Sequence, residues 1–580
     1  MRSVARNPLI WILAAAAGLR LAGLFWGLPA SDGWDDDGFA PRNFLTALAL
    51  TYKQGAYFTY PPLHAIFLAL LTLPGIVLAL LQAPSLHQAD VIAAFTKPGL
   101  MTFFAATARL VNVAMSLGII WCVGEMARLV AEGALGGPSA AAYGRTAPKK
   151  GRTAGLFAAG ACALNFGLTY YGQVSNLDVP YLFWSSLSFL YFMRAAALSR
   201  TRDLWPAVLC AAASIATKDQ AYALFLLSLP VFLLLWLVAA PRAQIRQTLR
   251  VLFPAAALGL FLLLLVDGAI SNPSGFVRRL HFLAGPASAD YATYSRGGLM
   301  ALLGDLAAWF AQGYGLPASL LALLGIGLQA RCHGHRGDNR GVRAAGVLPA
   351  LAILSFTLCF NFIALRTDAR FLMPQAVLAC VYIGIAAAWL ISASNRWFRL
   401  TGSAAIAVTA VLALHHCVAI SAAMLQDPRY DAEAWMRQHV RPADVIETYG
   451  QNAYLPRFPQ GAMVQRVGTK PVRARAPLFG VTEVQAPFAA PRTARFIVVN
   501  GWWLRHYTEK QSELGGHRMP SRAQSALYDD RPAREYFTAL KQGRLDYRLA
   551  HAALPATGIW PQVHIHESLN ETILIFERKS

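Results

Sequence analysis

Apolar runs of roughly twenty residues recur from residue 8 to about residue 424, and each is long enough to cross the ~30 Å hydrocarbon layer of a bilayer as a helix. Within hydrocarbon every backbone polar group must be satisfied by its own segment, so such runs dictate a helical bundle. Only 14% of the 580 residues are charged, against about a quarter in an average soluble domain. The chain therefore reads as a polytopic α-helical membrane protein. Its first run, from Leu9 to Leu28, is interrupted by Arg20 and lacks a small-residue cleavage site, so it reads as a retained helix rather than a removed signal peptide.

Charge orients the spans, because cytoplasmic loops are enriched in Lys and Arg. Basic clusters stand at Arg2/Arg6, Arg145–Arg152, Arg200/Arg202, Arg242–Arg250, Arg331–Arg343 and Arg396/Arg399. The loops around 172–178, 272–298 and 366–370 then face outward. The spans expected after residue 150 are 154–171, 177–197, 204–217, 219–240, 249–271, 299–330, 344–365, 372–392 and 400–424. The front end holds one apolar run too many. Either 62–83 pairs with a second crossing near 92–106, or, as Pro74–Gly75 and the preceding Tyr60–Pro61–Pro62 favour, it is a re-entrant or surface-lying outer helix. The expectation is about eleven crossings of the cytoplasmic (inner) membrane, with the N-terminus cytoplasmic and the C-terminus outside.

Residues 1–424 are thus expected to form a transmembrane domain, with a first outer loop at 29–61, and residues 425–580 a small α/β domain outside the membrane. That tail carries a helical pattern, DAEAWMRQHV, then strand-like runs ADVIETYG, ARFIVVNGWWL and ETILIFER. Trp502 and Trp503 read as core of this domain rather than as a sugar platform. The seven cysteines avoid the tail and imply neither a disulfide framework nor a metal site. His415, His416 and Cys417 imitate a ligand cluster but lie in an apolar helix, and packing is the simpler reading. The net charge of +21 suits cytoplasmic loops meeting anionic lipid, not nucleic acid.

One stretch opposes that charge. SDGWDDDGFA, residues 31–40, places Asp32, Asp35, Asp36 and Asp37 on the outer side directly after the first helix. Crowded carboxylates raise one another's pKa unless a cation or donor shares the site. One of them can take a proton from an attacking hydroxyl, and a neighbour can hold a divalent ion. The plain alternative is a solvated acidic loop. Other ionisable groups gather at the same expected surface: Asn176 and Asp178 at a helix start, Lys218 at the end of an apolar span, and Arg366 and Arg370 at another. Tyr60 opens the Tyr-Pro-Pro-Leu segment and His64 follows it. Each has a bland counterpart: Asp178 suits a helix N-cap before Pro180, Lys218 can snorkel, and Arg370 can anchor at the interface. Arg109, Arg278, Arg279 and His281 are weaker candidates for a headgroup or phosphate.

The acidic pair after helix one, the Tyr-Pro-Pro-Leu segment, NLDVPYLFW, ATKDQAY and RFLMP occur in the order found in type-C glycosyltransferases. Over roughly residues 8–395 the chain resembles their protein O-mannosyltransferase and lipid A aminoarabinose transferase branch. The resemblance implies a polyprenyl-phosphate sugar as donor, with the first outer loop over the donor site. It implies that Asp36 or Asp37 is the catalytic base, with Asp35 beside them, that Asp178 is the second acidic position, and that Lys218 and Arg370 lie near the donor phosphate. Two departures stand out: DDD replaces the usual Asp-Glu, and tyrosine precedes Pro61 where the mannosyltransferases have histidine, so their acceptor does not carry over.

The expected activity is transfer of a hexosyl or pentosyl group from a polyprenyl-phosphate donor to an acceptor hydroxyl on a protein, glycan or lipid outside the membrane. No cofactor is required; a divalent cation (Mg or Mn) at Asp36 and Asp37 is compatible with the chemistry. The rivals are a lipid or solute transporter, which places charges near the midplane and shows repeat symmetry, and a non-catalytic scaffold displaying the tail.

Overall fold

Glycine, proline and buried charge decide where the apolar runs break. The computed structural model describes residues 7–30, 33–35, 38–39, 43–135, 147–238, 240–331, 340–450, 452–468, 480–509, 530–556, 565–566 and 569–579. The chain packs as two compact units, Met1–Leu21 with Asn43–Leu70 and Arg109–Val418, and Ala22–Arg42 with Leu71–Ala108 and Ala419–Ser580.

In the first unit the helix Ala369–Ile391 is the core: 94% of its most apolar window is buried. Lipid tails are as apolar as leucine, so helices in a bilayer associate through close packing of small residues. Gly384 does this here; a methyl group on it would lie 2.4 Å from the Ala154 carbonyl oxygen. Gly325 likewise lies against the Tyr382 backbone. The opposite extreme is Arg242–Val266, of which only 11% is buried.

Among the described residues six helices are long and apolar enough to cross a membrane, or eight if two bent pairs each count once. The eleven expected crossings include shorter elements. Leu204–Ile215, for example, has 12 residues and rises about 18 Å, less than the ~30 Å core. The run read as one span at 299–330 is instead two helices, ending and restarting at Gly315 with a bend of 110°. The cause is local: Gly315 takes φ +80°, and Pro317 cannot donate the hydrogen bond that would continue the first helix. The run 62–83 is divided at Thr72 into Leu63–Leu71 and Leu73–Gln82, with Pro74 in the first turn of the second, where a missing N–H costs nothing. Ahead of residue 366 the helix widens over one π-type turn, Thr357–Asn361. Leu365 then reverses the chain at φ +48°.

The second unit contains a six-stranded mixed sheet in the order β3-β2-β1-β4-β6-β5. Its strands are β1 (Val445–Thr448), β2 (Met463–Gly468), β3 (Val481–Gln485), β4 (Phe496–Asn500), β5 (Tyr547–Ala553) and β6 (Ile573–Arg578). β3, β2, β1 and β4 run parallel, β6 is antiparallel to β4, and β5 to β6. β4 is buried along its length, as a central strand covered on both faces should be. On one face Ile446, Phe496 and Val498 meet Met436 of the helix Pro428–His439. On the other, Ile497 and Val499 meet Trp503, Phe537 and Leu540. The runs ADVIETYG, ARFIVVNGWWL and ETILIFER supply β1, β4 and β6. Asn500 ends β4 and caps the helix Gly501–Thr508 through its side chain, so Trp503 enters the core from a helix rather than a strand.

Candidate functional site

In the first unit the helix Asp178–Ala197 starts at a carboxylate because Asn176 holds it there. The Asn176 Oδ1 accepts the Asp178 backbone N–H at 2.6 Å, and Asn112 Nδ2 donates to the Asn176 carbonyl at 2.8 Å. Asn176 thus does the capping that Asp178 was open to doing, and the Asp178 side chain makes no cap bond. Fully buried, it instead accepts from Lys218 Nζ at 2.7 Å and Gln220 Nε2 at 3.0 Å. Its second oxygen lies 4.0 Å from Arg370 Nε. A carboxylate at a helix N-terminus also complements the helix dipole.

Lys218 reaches inward because the short helix Leu204–Ile215 ends before it and Lys218 itself is extended, at φ −154°. It is 8% exposed, so it does not snorkel. The preceding turn also receives the segment after Tyr60–Pro61–Pro62: Leu63 N–H donates to the Ala216 carbonyl at 3.0 Å. His64 is buried there beside Phe67.

Arg366 and Arg370 come from the reversal at Leu365. Asp368 caps Ala369–Ile391 by accepting from the Arg370 and Phe371 N–H groups at 2.8 and 3.1 Å, which sets Arg370 on the first turn. The Arg366 guanidinium lies 4.7 Å from the centre of the Phe371 ring and 5.5 Å from that of Phe360, attracted by the ring faces. Burial, and then the neighbouring Arg370, lower its pKa, while Tyr60 is close enough to act in the other direction. Arg366 Nε and Thr367 Oγ1 are buried and make no hydrogen bond among the described residues. Such orphan groups are costly unless something accepts from them.

Lys218 is followed by a second charge network. Asp219 lies 3.2 Å from Arg279 Nη2, and Asp267 accepts from the same nitrogen at 2.9 Å. Arg279 is 1% exposed and stacks 4.7 Å over Phe58. Weighed as a phosphate contact, it is instead engaged by two carboxylates. Asn272 ties the same region together, donating to the Ala56 carbonyl at 2.9 Å and accepting from Gly55 N–H at 3.0 Å. Four cations (Lys218, Arg279, Arg366, Arg370) therefore accompany four carboxylates (Asp178, Asp219, Asp267, Asp368), and an incoming anion has to compete for Lys218 with Asp178.

In the second unit Trp34 is held by a buried aromatic and ionic clasp. Trp34, 2% exposed, packs on Tyr430 at 5.0 Å and lies 4.0 Å under the Arg429 guanidinium. Asp427 holds that guanidinium through Nε at 2.8 Å and Nη2 at 2.7 Å, and also accepts from Trp26 Nε1 at 3.1 Å. Arg457, bound to Glu433 at 2.6 Å, closes over Trp34 from 5.5 Å. Asp35 is half-buried beside Trp34. Asp32, Asp36 and Asp37 lie outside the described residues.

The structure thus brings together Asn176, Asp178, Lys218, Arg370 and Arg366, with Tyr60 within electrostatic reach of Arg366. Gln220, Asn112 and the Asp219–Arg279–Asp267 triad escaped the sequence reading; the Lys218–Asp219 adjacency was the one available signal. The clasp around Trp34 also escaped it, since nothing in the sequence around Asp427 and Arg429 marks them as partners of Trp34. Cys417 packs against Thr169, with 3.3 Å between Sγ and Oγ1, and no cluster of three or more metal-ligating residues occurs among the described residues.

No protein-family model and no curated protein matches the chain. Among solved structures it is similar to ArnT from Cupriavidus metallidurans. The form bound to undecaprenyl phosphate is 13% identical, with 98% of this chain and 97% of that one covered, at a TM-score of 0.45. The apo form is 14% identical, with 86% and 94% covered, at 0.47. The archaeal oligosaccharyltransferase AglB from Archaeoglobus fulgidus, in complex with an inhibitory peptide and a dolichol-phosphate, is 12% identical over 98% of this chain and 88% of that one, at 0.43. With TM-scores below one half these are distant likenesses.

Proposed function

We propose that the chain is an integral-membrane glycosyltransferase that moves a sugar from a polyprenyl-phosphate donor to an acceptor hydroxyl outside the cytoplasmic membrane. The observation that carries the reading is the cluster itself: Lys218 and Arg370 on either side of the buried Asp178, with Arg366 Nε and Thr367 Oγ1 as buried donors that find no acceptor among the described residues. Three chain segments far apart in sequence supply it, and they follow the motif order by which the chain resembles the type-C glycosyltransferases. In this proposal the donor phosphate takes the orphan donors, and Lys218 turns from Asp178 to a phosphate oxygen. Asp36 or Asp37 accepts the proton of the attacking hydroxyl, the oxygen forms a bond to the anomeric carbon, and the bond to phosphate breaks with inversion. The developing charge on the leaving phosphate is stabilised by fixed cations in a low-dielectric setting, where they act most strongly.

The test uses the full-length protein in proteoliposomes with radiolabelled polyprenyl-phosphate sugars, with and without EDTA to read any part played by a divalent cation. Asp36→Asn with Asp37→Asn should abolish sugar release from the lipid. Arg366→Gln should weaken it about tenfold to a hundredfold, the value of one charge-assisted hydrogen bond. Unchanged turnover in both variants, in protein with the native melting temperature, rules the assignment out; movement of intact lipid without sugar release favours a transporter.

A further inference from the structure

The helix Arg242–Val266 has two sides of different character. Its buried residues Thr248, Ala255 and Gly259 share one stripe, and Gly259 packs against Val208 and lies near Ala212. At about 100° per residue, Arg242, Arg246 and Arg250 fall on the far side, one per turn, and all three are exposed. None enters a hydrogen bond or ion pair among the described residues, and the sequence holds no acidic residue between Asp219 and Asp267. One position away, Ile245, Leu249 and Phe253 form a parallel apolar stripe, with Phe253 68% exposed. The two stripes line a shallow groove of about 580 Å³. The exposed apolar surface continues along the helix through Leu260 and Phe261.

We propose that this groove is a binding site for an anionic phospholipid of the leaflet that the basic loops face. The arginines, rising about 6 Å from one to the next, hold the headgroup phosphate, and an acyl chain lies along Ile245, Leu249 and Phe253 into the hydrocarbon-facing surface. Charge decides the occupant. Three guanidinium groups on one face, with no carboxylate paired to them among the described residues, repel one another until an anion sits among them. Arginine's planar fork matches phosphate oxygens in pairs, and the apolar stripe beside it belongs to the least buried of the long apolar helices. A partner helix would need acids at matching spacing as well as an apolar face. The site is independent of the reaction proposed above.

Full-length protein purified in mild detergent, wild type beside the triple variant Arg242→Gln, Arg246→Gln, Arg250→Gln, tests this through mass spectrometry of the co-purifying phospholipids. Anionic lipid per protein should fall at least threefold in the variant while zwitterionic lipid stays constant. The corresponding triple lysine variant should retain most of it. Lipids with one and with two headgroup phosphates are counted separately, and loss of either class supports the site. Unchanged anionic lipid, an equal fall in zwitterionic lipid, or loss of a bound protein with lipid unchanged overturns it. All three positions are exposed, so the melting temperature should match wild type; if the glutamine variant fails to fold, the lysine variant losing anionic lipid as completely as zwitterionic lipid overturns it on its own.

Discussion

A lysine held at 8% exposure needs a counter-charge, and Asp178 supplies it from forty residues away in the chain. Removing one partner of a buried pair leaves the other desolvated and uncompensated, typically at about 3–5 kcal/mol. Asp178→Asn should therefore lower the melting temperature of the purified protein clearly. Adding Lys218→Met should recover part of the loss, because the orphan charge goes with it, and the double-mutant cycle should show coupling well beyond additivity. The same substitution removes the competitor for Lys218, so the donor's phosphate should bind Asp178→Asn more tightly than wild type even as turnover changes. A variant with native melting behaviour, or additive losses in the cycle, would show that the pair is a surface-like contact of little worth.

Two pieces of local architecture position segments rather than react. Asn272 and Gly275 fix the chain ahead of Tyr60, since a methyl on Gly275 would lie 2.2 Å from the Ala56 carbonyl oxygen. Arg429 and Tyr430 fix the chain at Trp34. Trp34 is the keystone of the second clasp: Gly27, at φ +71°, turns the chain so tightly against it that a methyl there would lie 2.6 Å from the indole. Truncating a buried tryptophan costs about 3–5 kcal/mol of packing, with a further ~1–2 kcal/mol for a desolvated cation–π contact. Trp34→Ala should loosen residues 22–39 specifically, seen as faster amide hydrogen exchange there with the sheet β1–β6 unchanged. Trp34→Phe should restore much of the protection. Global loosening would mean that the clasp supports the unit as a whole, and unaltered exchange would mean that it supports nothing.

Across the whole chain, what the sequence disclosed follows from range. Hydropathy and charge are properties of neighbouring residues, so the helical class, the strands β1, β4 and β6 and the helix Pro428–His439 could be read directly. The candidate site was legible as residue types at helix ends: Asp178, Lys218 and Arg370 were marked by polar character in apolar surroundings, which is expensive and so rarely idle. Pairings set by tertiary geometry were not legible. Nothing local in FVRRLH or QDPRYD announces that Arg279 meets two carboxylates or that Arg429 lies on Trp34. The break at Gly315 was missed because hydropathy averages over the one residue whose φ ends a helix. The remaining whole-molecule quantity is orientation, which positive charge alone assigns, and the chain carries its own probe for it. Cys332 lies in the basic stretch 331–343, whereas Cys122, Cys162, Cys210, Cys380 and Cys417 are buried and Cys359, half-buried, is replaced by serine for the test. In intact cells a membrane-impermeant maleimide should leave Cys332 unlabelled and react with a cysteine placed at Ser31 or near the end of the tail; after permeabilisation Cys332 should react as well. Labelling of Cys332 in intact cells would invert the whole assignment, moving the acidic loop and the sheet to the cytoplasmic side and the arginine groove of Arg242–Arg250 to the other leaflet.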